Sequence, residues 1–201
     1  MSPDAPVTTT GAQTPVTAPE SPDALVATTG AQAAATAAGP GRVLVIGYGN
    51  SLRSDDGVGW HVAMRLCDDP RLTACEVLAR HQLTPELALD LGEASLVILI
   101  DADVGVAPGA ISVRRLTGEP GARNGARGMG TIDRSPSTHH VDAGELLALA
   151  GELGGHVPEA VVIGVGVADL ELGESLSPAV GAALPDVADL VLGLVADHQG
   201  R

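Results

Sequence analysis

Arg42-Val-Leu-Val-Ile-Gly47-Tyr-Gly-Asn-Ser-Leu-Arg-Ser-Asp55-Asp56-Gly57-Val-Gly59 is the stretch on which the reading of the fold turns. Its first six residues form a short β-branched and aliphatic run that stops at glycine, the mark of a buried strand. A turn rich in Gly, Asn and Asp follows. A helix is then predicted from about Gly57 to Cys67, because Val58, Val62 and Leu66 recur at intervals of four and make one apolar stripe.

Downstream the same alternation repeats. Residues 75–79 suggest a second strand, and Pro85–Leu91 a helix with proline near its first turn, where a missing N–H costs nothing. Leu96-Val-Ile-Leu-Ile100 is the strongest strand of the chain and is expected to end at Asp101-Ala-Asp103. Ala110–Leu116 reads as a less regular strand, since Arg114 and Arg115 break its alternation. The Gly/Arg-rich stretch Thr117–Ser137 reads as a long loop and a candidate for substrate contact. Asp142–Leu153 is predicted helical with Leu146, Leu147 and Ala150 inward, and Ala160–Val167 is a final core strand. Pro178–Ala196 closes the chain as a helix with Leu184, Val187, Val191, Leu192 and Val195 as its buried stripe. The order implies an α/β three-layer sandwich, a twisted, mostly parallel sheet with helices on both faces.

Upstream, residues 1–41 are rich in Ala, Thr, Pro and Gly, and Pro3-Asp4-Ala5 through Gln13 nearly repeats as Pro22-Asp23-Ala24 through Gln32. Too polar and proline-interrupted to bury a core, this part is expected to be a disordered tail ahead of a domain spanning 42–201. It has no signal-peptide pattern, and no run of about 20 apolar residues is expected to span a bilayer. A cytoplasmic protein is the expectation.

The domain must pack its core from Val, Leu, Ile and Ala, because Trp60 and Tyr48 are the only aromatic residues. A net charge of −14 argues against nucleic acid, which demands clustered positive charge. Cys67 and Cys75 lack C-x-x-C spacing and read as buried small hydrophobes or chance thiols, so neither a zinc site nor a disulfide is expected.

In open parallel sheets ligands sit beyond the carboxyl ends of the strands. Three polar clusters fall there: the Gly47–Gly59 turn, Asp101-Ala-Asp103, and Ser137-Thr138-His139-His140. Two carboxylates and an imidazole converging from separate loops would offer O,O,N ligands to a divalent metal. Each also has a plainer reading: Ser54 or Asp55 as a helix N-cap, Asp101 as a loop cap, His139 as a surface histidine. The dinucleotide fingerprint fails at Leu52, a P-loop is excluded by the absence of lysine, and no G-x-S-x-G or H-E-x-x-H appears.

The run Gly47–Gly59 resembles the signature that opens the hydrogenase maturation endopeptidase family. Further pieces are similar in the same order: His81-Gln-Leu-Thr-Pro-Glu86-Leu, Ile100-Asp101-Ala102 with Pro108-Gly109, Ser137-Thr138-His139 before a Leu-rich helix, and Gly173 through Pro178. Together they span about residues 42–196. The resemblance implies that Asp56, Asp101 and His139 are the catalytic and metal-contacting trio, while His140 has no assigned part. Val165-Gly-Val-Ala-Asp-Leu departs from the proline-containing form common in the family.

The implied reaction is removal of a carboxy-terminal extension from the nickel–iron hydrogenase large-subunit precursor. Nickel carried by that substrate would be the recognition element, with no organic cofactor and with the enzyme a cytoplasmic monomer. Two other readings stay open from the residues. One is a non-catalytic metal-site chaperone using the same trio. The other is a small-ligand or nucleotide-binding α/β domain suggested by Gly47-x-Gly49.

Overall fold

Strict alternation of side chains along two central strands sorts the core into two layers. The computed structural model describes residues 41–116 and 141–201; the expected tail, all but its last residue, and the expected loop at 117–137 lie outside that description. Among the described residues five strands make one sheet, in the order β2 (Cys75–Arg80), β1 (Val43–Tyr48), β3 (Leu96–Asp103), β5 (Glu159–Gly166), β4 (Ile111–Leu116). The first four run parallel and β4 pairs antiparallel to β5 at one edge. The edge position explains the irregular pattern of β4. Its half-solvated outer side accommodates Arg115, which pairs with Glu159.

Val43 and Val45, Ile98 and Ile100, and Val161, Ile163 and Val165 all point to one face. Helices α1 (Val58–Leu66) and α4 (Pro178–Gln199) cover it. Leu44 and Ile46, Val97 and Leu99, and Ala160 and Val162 point to the other, under α2 (Leu87–Gly92) and α3 (Ala143–Gly154). The mostly parallel sandwich with helices on both faces therefore stands.

Several elements differ from expectation in their ends or buried faces. Helix α2 starts at Leu87, because Pro85 and Glu86 form the turn before it. Strand β3 runs on to Asp103, so Asp101 lies inside the strand rather than beyond it. The buried stripe of α4 is Val180, Ala183, Val187, Ala188, Val191 and Val195, with Leu184 and Leu192 only partly covered. Apolar residues on its other sides make α4 long and apolar enough to cross a bilayer by length and composition, contrary to the expectation that no segment is. Its buried stripe packs on the sheet instead.

Helix α3 starts with a capping box, in which Glu145 N–H donates to Asp142 Oδ1 at 2.7 Å and Asp142 N–H to Glu145 Oε2 at 3.2 Å. Both cysteines are free; Cys67 is exposed, which corrects the reading of it as a buried hydrophobe. It sits at the C-cap of α1, past the last residue the apolar stripe carries inward.

Candidate active site

From its carboxyl end β1 leads through α1 to β2 on one side, whereas β3 leads directly to β4 at the opposite edge of the sheet. Adjacent strands β1 and β3 thus have connections diverging at their carboxyl ends, which opens a crevice between them. Asp56 comes to this crevice from the turn after β1 and Asp101 from the end of β3.

Glycines make the turn possible. A Cβ on Gly47 would stand 1.9 Å from the Gly59 carbonyl oxygen, and one on Gly59 2.2 Å from that of Ile100. The start of α1 therefore rests directly on the backbone of β1 and β3. Gly49 adopts φ +138°, and a Cβ there would lie 1.9 Å from the Asp56 carbonyl oxygen. The turn closes as Asn50 N–H donates to Asp56 Oδ2 at 3.0 Å and Asp56 N–H to the Arg53 carbonyl at 3.0 Å. Asp56 is left partly buried.

Asp101 is partly buried and accepts from the Ala102 N–H at 2.8 Å. Burial pushes its pKa up to about 7; the Tyr48 hydroxyl and the Ala102 N–H pull it down, and the charges of Asp56 and Asp103 raise it further. Tyr48 is itself held well above its ordinary value, by burial first and then by the neighbouring Asp101. Two carboxyls that bear on each other across the crevice can offer two oxygen ligands.

Asp55, the neighbour of Asp56, points the opposite way and is fully buried. Its Oδ2 accepts from Ala168 N–H at 2.9 Å and Asp169 N–H at 3.0 Å, and its Oδ1 from Ser177 N–H at 2.6 Å. Burial works to raise its pKa, but these backbone donors outweigh it and hold the carboxyl below its usual range. Neither Ser54 nor Asp55 caps a helix: no side-chain cap bond forms at the 3₁₀ turn Ser54–Gly57 or at α1. Asp103 is also structural. Buried, it accepts from Gly105 N–H and the Ser112 hydroxyl, closing the approach to β4.

The structure therefore brings Asp56 and Asp101 together. His139 and His140 lie outside the described residues. Among the described residues no group of three His, Cys, Asp or Glu side chains gathers around a metal-sized space. Val141 and Asp142 resume the description on the Tyr48 side of the sheet. Val141 packs on the same core layer as Tyr48, and the charge of Asp142 bears on Tyr48.

No family model matches the chain, and no curated protein matches it in sequence. Solved structures do. The hydrogenase maturating endopeptidase HybD from E. coli superposes with a TM-score of 0.63 at 26% identity, over 78% of this chain and 93% of that one. The hydrogenase 2 maturation peptidase from a Thaumarchaeota archaeon gives 0.56 at 29% identity, over 77% and 98%. The chain is like the hydrogenase maturation endopeptidases in fold, with sequence identities of 26% and 29%. The [NiFe] hydrogenase maturation protease HycI from Thermococcus kodakarensis shares the fold as well, with a TM-score of 0.58 at 21% identity over 78% and 93%. By this kinship the chain is a hydrolase.

Within that family frame, two residues were not singled out from the sequence. In the sequence Tyr48 stands out only as one of two aromatics, although its place at the end of β1, with the side-chain parity of Leu44 and Ile46, directs it to the face that Asp101 shares. Asp55 had been weighed only as a cap. No local signal could reveal partners more than a hundred residues away.

Proposed function

We propose that this chain removes the carboxy-terminal extension of a nickel–iron hydrogenase large-subunit precursor after nickel insertion. Nickel held by the precursor is the recognition element, contacted by Asp56, Asp101 and His139. The observation that carries the reading is the meeting of the Asp56 and Asp101 carboxyls at the β1–β3 crevice of this fold.

Two carboxylates and one imidazole leave a metal shell open, so a metal arriving with its own protein ligands completes it. The same carboxylates serve hydrolysis. A water attacks the scissile carbonyl carbon, a carboxylate takes its proton, and the departing amine is protonated as the C–N bond breaks. The protein is proposed to act as a cytoplasmic monomer without an organic cofactor.

The test mixes purified protein with nickel-loaded precursor and reads product masses, with Asp56→Ala, Asp101→Ala and His139→Ala in parallel. Loss of a carboxy-terminal peptide with the unsubstituted protein alone is expected. Nickel-dependent binding without cleavage would replace the endopeptidase by a non-catalytic chaperone. Full-rate cleavage of nickel-free precursor by metal-free enzyme would sink nickel recognition.

A further inference from the structure

Between β5 and α4 the chain crosses the carboxyl edge of the sheet as residues 168–177, and it is bound there almost wholly to one partner, the turn at 52–55. Besides the three bonds to the Asp55 carboxylate, Asp55 N–H donates to the Asp169 carbonyl at 3.0 Å and Ser54 N–H to the Gly173 carbonyl at 2.7 Å. Gly173 N–H donates to the Leu52 carbonyl at 3.0 Å, and the Arg53 guanidinium donates to the Leu170 carbonyl. The fit is tight: Ser54 is a non-glycine residue at φ +47°, and a Cβ on Gly173 would lie 2.6 Å from its Oγ.

A fully buried carboxylate with three backbone donors does more than a surface turn requires. Removing it leaves the Ala168, Asp169 and Ser177 N–H groups without their acceptor at once. The loop so held begins beside the Asp56 turn and presents Leu172, 87% exposed, next to Leu52, 55% exposed. Asp169, Glu171 and Glu174 lie on the same loop. Apolar side chains held out in water on the loop bound to the turn that carries Asp56 are suited to an extended segment of a partner chain.

On the strength of the function proposed above, we infer that Asp55 is a positioning residue. Its carboxylate locks the 168–177 loop to the Asp56 turn, and the locked loop is the wall against which the precursor chain lies at the scissile bond. Asp55 touches no substrate; it acts through Leu172 and the loop backbone.

Amide hydrogen exchange, precursor affinity and steady-state cleavage are compared for the full chain, Asp55→Asn and Leu172→Ser. Asparagine keeps the size of the side chain but replaces one accepting oxygen with a donor. Asp55→Asn is expected to speed exchange of the 168–177 amides at least tenfold while the strand amides stay protected. It should also raise KM about tenfold or more with kcat within about threefold. Leu172→Ser should raise KM without changing exchange or Tm, and add little when combined with Asp55→Asn.

Unchanged exchange at 168–177 in Asp55→Asn overturns the lock. A loss confined to kcat, or KM unmoved by Leu172→Ser, overturns the wall. Wild-type protein that binds and cleaves no precursor overturns the functional reading and the wall with it, while the exchange result still decides the lock.

Discussion

Tyr48 and Asp101 follow directly on Gly47 and Ile100, the last paired rung of the β1–β3 ladder, and the Tyr48 hydroxyl bears on the Asp101 carboxyl from the neighbouring strand. Desolvation raises the pKa of this carboxyl and the tyrosine restrains the rise, so its protonation near neutral pH is set by two residues from adjacent strands.

Tyr48→Phe should therefore raise the Asp101 pKa above its value of about 7. A hydrogen bond to a charged group contributes about 1.5–3 kcal/mol, so a rise of roughly one to two units is expected. Carboxyl 13C shifts of Asp101 followed against pH in metal-free protein read it directly. A fall, or no change, would mean that the tyrosine does not act on the ionised form.

Asp101 also links stability to pH. Its folded-state pKa, about 7, lies above the ordinary carboxyl value of 3.8, so the native state keeps a proton that the unfolded state releases. Its contribution is most favourable at low pH and is lost as pH rises from about 4 to about 7. Asp101→Asn should stabilise the metal-free protein at pH 8 by an amount of the order of a few kcal/mol, and hardly at all at pH 4. Urea midpoints at the two pH values check this. Asp55 works with the opposite sign, since its lowered pKa stabilises the fold above the ordinary carboxyl range and is lost on acidification.

Gly49→Ala combines a left-handed backbone with a 1.9 Å overlap on the Asp56 carbonyl oxygen. A loss of roughly 3 kcal/mol or more is expected, with cleavage abolished because the Asp56 turn must shift. Gly193→Ala is the contrast. It lies exposed on α4 with nothing within 4 Å of the new Cβ, and should gain about 1 kcal/mol from helix propensity. Chemical denaturation of both variants gives the comparison.

Asp142→Ala removes one side of the capping box on α3. It should cost about 1 kcal/mol, readable as a lower urea midpoint. Because α3 begins directly after the His139 segment, faster exchange confined to its first turn is the local signature to look for.

Much of this protein is legible in its sequence. Aliphatic runs ending at glycine or aspartate locate β1 and β3, and the spacing of Leu146, Leu147 and Ala150 gives the inner face of α3 as observed. These patterns are local. Burial imposes a period of two on strands and 3.6 on helices, and residues within one element carry it. Asp101 stands out for the same reason, as a polar residue where an apolar run stops, while Asp56 is picked out of its turn by the resemblance alone.

What the tertiary structure alone decided is how those ends meet. Strand order set the crevice between β1 and β3, and side-chain parity put Tyr48 with Asp101. The buried role of Asp55 rests on backbone N–H groups of residues 168, 169 and 177, more than a hundred positions away. Every non-proline residue carries such a donor whatever its side chain, so nothing in the amino-acid sequence marks which of them a distant carboxylate will find.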